Sequence, residues 1–295
     1  MDTAAKAREF QAMHLGPQLL VIANAWDAAS ARIFEQAGVR AVGTGSAGIA
    51  FSHGYPDDEL IPREVILAAT REIVRSVDVP VTADILNGLG ATVDAVVATV
   101  REVIGVGAVG VNIEDGSEIG GAHLVDVERQ VETIRAVCAA ARDAGVPIVV
   151  NARTDAYWLK LGDDAERLRT SIARANRYRE AGASCLFVPA ASDPETIRTL
   201  VREIDGPLNI LTVPGCPPIR ALQDLGVRRV SEGSGPMRAT MMLTRRIAEE
   251  LLQTGTYTRF HTEAVPYAEA NRLFAARSSA APAPRKAAAD GSSTT

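Results

Sequence analysis

The sequence has few aromatic residues and few cysteines. Aromatic residues make up 4% of its 295 residues, while alanine, valine, glycine and isoleucine are common, which favours tight packing of helices on a sheet. The three cysteines, Cys138, Cys185 and Cys216, are odd in number and widely spaced. They therefore predict a reduced, cytoplasmic protein without a disulfide framework.

Long apolar runs and basic runs are also missing. The sequence contains no stretch of about 18 apolar residues, the minimum for a membrane span. Its first segment, MDTAAKAREFQAM, lacks the apolar centre of a signal peptide. The net charge is −5, and no cluster of lysine and arginine stands out. We therefore expect neither a membrane nor a nucleic acid as a partner.

What the sequence does contain is one repeated pattern of a Gly or Pro turn, a short β-branched run, a loop and an alanine-rich amphipathic stretch. The pattern occurs eight times, and it predicts strands at residues 19–23, 39–45, 79–84, 108–115, 146–153, 184–189, 208–213 and 227–232. Eight βα units in this order predict an α/β fold, the (β/α)8 TIM barrel. Residues 46–60 and 116–126 are predicted to be two long loops.

The barrel and a C-terminal helical extension are predicted to form one domain, residues 1–277. Residues 257–274 include an apolar helical stretch that must pack on its own barrel or on that of a neighbouring chain. The segment 278–295 is rich in proline, alanine and serine, and this composition predicts a disordered tail.

Two of the predicted strands end in acids. Asp84 ends the third strand, and Glu114 and Asp115 end the fourth. An acid at the end of a buried strand is costly unless it binds something, and the ends of parallel strands meet at one mouth of a barrel. Asp84 and Glu114 are therefore predicted to hold a hard cation, Mg²⁺ above all. The alternative is that either acid caps the helix that follows it.

Other strand ends add groups that suit a small anion. The fifth strand ends with Asn151 and Arg153, and arginine binds carboxylate or phosphate through two donors. The first strand ends at Trp26, and the second leads into a turn of small residues whose backbone N–H groups can bind the same oxygens: Ser46, Ala47 and Gly48. Arg153 could instead pair structurally with Asp155 or Glu114. His53 and His123 lie in the two long loops, where a solvent role is the alternative to substrate contact.

At these residues the sequence resembles the isocitrate lyase/phosphoenolpyruvate mutase superfamily over about residues 19–274. NAWDAASARIFEQAGVRAV is similar to the family's opening helix signature. TGSAGIAFSHGYPD is similar to its substrate-carboxylate loop, with Asp57 at the position of a loop acid near the metal. TAD…GLG and VNIED resemble its two metal motifs, and NARTDAY resembles its arginine strand.

The resemblance implies Mg²⁺ or Mn²⁺ as cofactor, a small carboxylate or phosphonate as substrate, and an enolate-type intermediate held by the metal. It also implies a homotetramer, a dimer of dimers that exchange C-terminal helices. The strand ends and the resemblance together assign Arg153, His123 and Asp57 to catalysis, Asp84 and Glu114 to the metal, and the following residues to substrate binding: Trp26, Ser46, Ala47, Gly48, Arg153 and Asn151.

Departures from the family pattern limit which reaction is expected. Leu86 stands where the family usually has a second acid, and Leu89 replaces a tyrosine. Gly121 stands where the lyases have their acid/base cysteine, and Pro189 where the mutases have a histidine. The pattern is closest to the branch of the superfamily whose sixth strand reads FVP.

Two functions from this comparison remain open, together with a purely structural barrel. The first is a Mg²⁺-dependent lyase or decarboxylase that cleaves a C–C or P–C bond of a small 2-oxo or 2-hydroxy carboxylate. The second is a repurposed member that binds a carboxylate or phosphonate with altered or no lyase chemistry.

Overall fold

The structure is a computed structural model, and it describes residues 2–57 and 61–278. Eight parallel strands close a barrel: β1 (Leu20–Ala25), β2 (Ala41–Thr44), β3 (Val81–Asp84), β4 (Gly110–Glu114), β7 (Val149–Arg153), β8 (Cys185–Phe187), β9 (Leu208–Leu211) and β10 (Arg229–Ser231). They pair in this order, and β10 closes the ring on β1. The predicted (β/α)8 fold is therefore confirmed.

Helices follow the strands and, apart from α3 at the mouth, cover the outside of the barrel. They are α2 (Ala28–Gln36), α3 (Ser46–Ser52), α4 (Arg63–Ser76), α5 (Val93–Gly105), α6 (Val127–Asp143), α7 (Asp164–Glu180), α8 (Pro194–Glu203), α9 (Ile219–Leu225) and α10 (Gly235–Gln253). Several end where a glycine adopts a left-handed conformation, with φ of 96° at Gly38 and 110° at Gly182. Glycine adopts this conformation without steric cost.

The two predicted loops contain secondary structure. The first begins with α3, whose Ile49 and Ala50 are buried against α4 in an apolar cluster with Ile61 and Ile66. Residues 58–60 of this segment lie outside the described residues. The second contains an antiparallel hairpin of β5 (Gly116–Ser117) and β6 (His123–Leu124). The loop prediction was therefore wrong for α3 and for the hairpin, because elements this short produce no periodic sequence pattern.

A helix before the first strand closes the other end of the barrel. This helix, α1 (Thr3–Leu15), buries Ala7, Phe10 and Met13 in a cluster with residues of β1, β2, β7 and β8 and with Val109, which directly precedes β4. A Cβ atom at Gly110 would lie 2.9 Å from the Phe10 ring, so only glycine fits at this point of the strand. The closed lower end leaves the C-terminal ends of the strands as the open mouth.

The C-terminal extension consists of α10 and two further helices, α11 (Thr258–Glu263) and α12 (Tyr267–Ser278). α10 contains no buried residue, and the described contact of α12 with the barrel includes a hydrogen bond from Arg32 Nε to the Leu273 carbonyl of 2.9 Å. Apart from Ser278, the predicted disordered tail lies outside the described residues.

No helix in the ranges 2–57 and 61–278 is both long and apolar enough to cross a membrane.

Candidate active site

Three charged residues end neighbouring strands at the open mouth. Asp84 ends β3, Glu114 ends β4 and Arg153 ends β7. Glu114 and Arg153 are paired in register across β4 and β7, and Asp84 is paired with Asn112 of β4. The helices that follow are capped by Thr92 and Asp126, so the alternative that Asp84 or Glu114 is a helix cap is wrong.

Arg153 is held by acids on two sides and by aromatic rings. Its Nη1 lies 2.6 Å from Glu114 Oε2, and its Nε donates to Asp155 Oδ1 at 2.6 Å. Its guanidinium carbon lies 5.4 Å from the Trp158 ring centre and 5.7 Å from that of Phe187. Burial alone would lower the pKa of Arg153, but Asp155 and Glu114 raise it. The arginine is therefore a fixed cation, and Nη2 has no hydrogen-bond partner among the described residues.

Four carboxylates are linked electrostatically at this mouth, and we call them the acidic cluster: Asp84, Glu114 and Asp155 act on the Arg153 guanidinium, and Asp57 acts on Glu114. Burial raises the pKa of Glu114 well above its usual value; Arg153 opposes this shift, while Asp155, Asp84 and Asp57 add to it. Burial likewise raises the pKa of Asp155, again against the effect of Arg153. One arginine does not neutralise four acids, so the cluster would gain from a second cation.

The acidic cluster fits a magnesium ion held by few protein ligands. Among the described residues no group of three His, Cys, Asp or Glu side chains is arranged to hold a metal. Mg²⁺ commonly takes only one or two carboxylates and completes its shell with water and substrate oxygens. Glu114 Oε2 is buried and lies 2.6 Å from Arg153 Nη1 but accepts no hydrogen bond, so its hydrogen-bonding capacity is not used up by the ion pair. Asp84 and Glu114 therefore suit such an ion.

The turn after β2 lies against Asp84. The N–H and hydroxyl of Ser46 donate to Asp84 Oδ2 at 3.1 and 2.8 Å, and Thr44 Oγ1 accepts from the Asp84 N–H at 2.9 Å. Gly48 allows α3 to approach Trp26, because an added Cβ would lie 3.1 Å from Trp26 Cβ. The predicted substrate-binding residues Trp26, Ser46, Ala47 and Gly48 are thus gathered beside the acidic cluster.

Leu86, the residue in the place of the family acid, does not face Asp84 and Glu114. Its side chain is buried in the apolar cluster with Ile49 and Ile66, while its carbonyl accepts from the Glu114 N–H at 2.9 Å. Both Leu86 and Leu89 adopt a φ of 53°, a left-handed conformation that costs a non-glycine residue roughly 1–2 kcal/mol. The loop is therefore a strained turn held by apolar packing, with backbone support for Glu114.

The remaining predicted residues are placed differently. Asp57 lies near enough to Glu114 to raise the pKa of that acid. His123 is exposed on β6, and its Nδ1 lies 2.7 Å from the Gly121 carbonyl. Asn151 is fully buried below the mouth and donates to Asn112 Oδ1 at 2.8 Å. No described contact joins His123 or Asn151 to the acidic cluster, so their roles stay predictions.

A buried network behind the site was not predicted. Asp115 is fully buried and accepts from the Tyr178 hydroxyl at 2.5 Å, from Arg174 Nη1 at 3.1 Å and from the Asp155 N–H at 2.9 Å. Asp155 also packs on Gly116, where an added Cβ would lie 2.4 Å from Asp155 Oδ2. The network thereby fixes Asp155 against Arg153. The only sequence signal was a second acid directly after Glu114.

Eight parallel strands with charged side chains gathered at their C-terminal ends define a TIM barrel of the enzymatic type. The family model of phosphoenolpyruvate phosphomutase matches residues 10–252. The chain belongs to this family and to the isocitrate lyase/phosphoenolpyruvate mutase superfamily, so the resemblance seen in the sequence is confirmed. The superfamily consists of Mg²⁺-dependent lyases and mutases that act on small carboxylates.

Relatives from several bacteria match most of the chain. An uncharacterized protein of Mycobacterium tuberculosis, Rv1998c, is 34% identical over 88% of this chain and 93% of its own length. The 2,3-dimethylmalate lyase of Eubacterium barkeri is 32% identical over 70% of each chain. The crystal structure of a protein from Burkholderia cenocepacia J2315, described as a lyase/mutase, covers 92% of this chain and 97% of its own. Its sequence is 36% identical to this chain, and the TM-score is 0.85.

Proposed function

We propose that the protein is a Mg²⁺-dependent lyase or decarboxylase that cleaves a C–C or P–C bond of a small 2-oxo or 2-hydroxy carboxylate. One observation carries the proposal: the acidic cluster meets the fixed guanidinium of Arg153 at the barrel mouth. The acids provide for a cation, and Nη2 of Arg153 is available to a carboxylate. The relative named 2,3-dimethylmalate lyase, with its substituted 2-hydroxy dicarboxylate, supports this substrate class.

Separate residues would bind the metal and the substrate. Asp84 and Glu114 would hold Mg²⁺, which when bound would take up negative charge that develops on a substrate oxygen. Arg153 would bind and orient the substrate carboxylate. Ser46 keeps Asp84 in place, and Asp155 keeps Arg153 in place, so neither group needs to reorganise during the reaction. Asp57 and His123 are the candidates for proton transfer.

The proposal is tested by calorimetry with Mg²⁺ and by a panel of 2-oxo and 2-hydroxy dicarboxylates, with release of a keto acid as the readout. We expect Mg²⁺ to bind at millimolar concentration or better. Asp84→Ala should weaken Mg²⁺ binding and lower turnover on the order of a hundredfold. Asp94 is exposed near the start of α5, and Asp94→Ala is the matched control that should change neither. Unchanged Mg²⁺ binding in Asp84→Ala would show that this metal assignment is wrong.

A repurposed barrel is the second candidate, and Leu86 favours it. Leu86 occupies the position two residues after Asp84 and is buried in an apolar cluster, so this position supplies no second acid to the mouth. Gly121 provides no thiol on the β5–β6 hairpin. The same experiments separate the two candidates, since a repurposed protein would bind Mg²⁺ and a dicarboxylate but release no product from any member of the panel.

We also propose that a second copy of the chain covers the C-terminal helices, as a helix-exchanged tetramer requires. These helices expose large apolar side chains: Met241, Met242, Leu251, Leu252, Tyr257, Val265, Tyr267 and Phe274. Monomers seldom leave so many apolar groups in one region in water. We expect light scattering to give a mass above that of one chain. Leu252→Asp, at an 88% exposed position, should lower this mass, and Leu15→Asp, at a 71% exposed position on α1, should not. A monomeric wild-type protein contradicts the proposal.

A further inference from the structure

Arg229 is fully buried inside the barrel. It lies at the start of β10, opposite Leu20 of β1 and Asn209 of β9. Its Nη2 donates to Asn112 Oδ1 at 3.0 Å, and its Nη1 lies 3.4 Å from His14 Nε2. The guanidinium carbon lies 5.9 Å from the Phe10 ring centre. Its side chain therefore runs between the helix that closes the lower end and the strand that leads to Glu114.

This buried cation has no carboxylate partner among the described residues. Its hydrogen-bonding neighbours are an amide and an imidazole, and its Nε is buried without a partner. His14 is neutral there, because burial and the positive charge of Arg229 lower the pKa of this histidine to about 3. A buried charge without a counter-charge is expensive. Packing alone would be served better by an apolar side chain of similar size.

Arg229 lies below the mouth, where its charge can act on the groups of the candidate site. Asn112, which accepts from Arg229, also accepts from Asn151 and is paired in register with Asp84. Burial lowers the pKa of Arg229, while Cys185 and then the negative charge of Asp84 act in the opposite direction, so Arg229 and Asp84 interact electrostatically. In a low-dielectric interior such a field extends to the mouth with little screening.

We propose that Arg229 is a positioning residue for the anionic substrate: it holds the Asn112–Asn151 floor of the site and adds an unneutralised positive charge beneath the acidic cluster. The inference rests on the proposed function, because the anion is the substrate of that site. The acidic cluster repels a dicarboxylate, and the charge of Arg229 adds to the charges of Arg153 and of the proposed Mg²⁺ in offsetting this repulsion. A cation below the mouth contributes without occupying space in it.

The test compares two neutral variants, Arg229→Met and Arg229→Gln, with Arg229→Lys, which keeps the charge. The control is Arg228→Met, because Arg228 is the exposed neighbour on the same segment and donates to the Gly16 carbonyl at 3.1 Å. For each variant we measure the dissociation constant of oxalate in the presence of Mg²⁺ by calorimetry, and the midpoint of thermal unfolding.

Both neutral variants should bind oxalate about tenfold more weakly, and Arg229→Met should unfold at a midpoint no lower than that of the wild type. Arg229→Lys should keep most of the affinity, and Arg228→Met all of it. Neutral variants that bind oxalate within twofold of the wild type overturn the proposal, and a lowered midpoint with unchanged affinity assigns Arg229 a structural role instead. If the wild-type protein itself does not bind oxalate, the anion site of the proposed function fails and this inference fails with it.

Discussion

Replacing Arg153 with methionine is expected to lower kcat/KM by at least about a thousandfold. Arg153 is the cation that pairs with Glu114 and Asp155, each at 2.6 Å, and the residue best placed to bind a substrate carboxylate. The same change leaves two buried carboxylates without a counter-charge, which costs roughly 3–5 kcal/mol of unfolding free energy. Steady-state kinetics and urea unfolding measure the two effects.

The matched control for this change is Arg167→Met. Arg167 lies over the Tyr157 ring and pairs with the exposed Asp164, so its loss should cost less than about 1 kcal/mol and leave turnover intact. Arg153→Lys separates charge from geometry, because lysine keeps the charge but not the two donor edges. An Arg153→Met enzyme with near wild-type kcat/KM would remove this residue from the mechanism.

The second large effect is expected on stability, from Asp115→Ala. The carboxylate of Asp115 is fully buried and receives hydrogen bonds from Tyr178, Arg174 and the backbone of Asp155. Its removal leaves a half-buried guanidinium and a buried hydroxyl without their acceptor, which costs about 3–5 kcal/mol. Activity should fall as well, because Asp155 loses the bond that holds its backbone. Denaturant unfolding gives the free energy, and kinetics on the folded variant gives the rate.

Asp126→Ala provides the comparison for Asp115→Ala. Asp126 caps α6 and accepts from the backbone N–H groups of Glu128 and Arg129 at 3.0 and 3.1 Å in an exposed position, so its loss should cost about 1 kcal/mol. A cycle with Tyr178→Phe measures the coupling between Asp115 and that hydroxyl. If Asp115→Ala is no more destabilising than Asp126→Ala, the buried network does not stabilise the site.

The barrel could be predicted because every one of its strands carries a local signal. β-branched runs mark the strands, and residues such as Gly38 and Gly182 mark the turns between helix and strand. Parallel strands place their C-terminal ends together, so the meeting of Asp84, Glu114 and Arg153 followed from the strand count alone. Both alternatives for Arg153, pairing with Asp155 and with Glu114, are present at once.

Other features depend on tertiary contacts that no local pattern records. α1 has few large apolar residues, and its burial arises because Phe10 meets the bare backbone of Gly110. The network of Asp115, Arg174 and Tyr178 joins residues about 60 positions apart in the chain. For Leu86, the sequence indicated only a missing metal ligand. The structure shows that its side chain packs in an apolar cluster.

The burial of Arg229 is partly indicated by a local pattern and partly dependent on tertiary contacts. Side chains alternate between the two faces of a strand, so a strand that turns Ser231 inward also turns Arg229 inward and Arg228 outward. The sequence VRRVSE contains this information. An arginine in a barrel core without an acid runs against the usual distribution of charges, so the alternation alone does not predict a buried Arg229.

The two tryptophans of the chain, Trp26 and Trp158, have a practical consequence. Trp26 follows β1 beside Gly48, and Trp158 lies over the guanidinium of Arg153, so both indoles lie at the barrel mouth. The protein therefore carries a built-in optical probe of that mouth, and its intrinsic emission can follow ligand entry in real time without any attached dye.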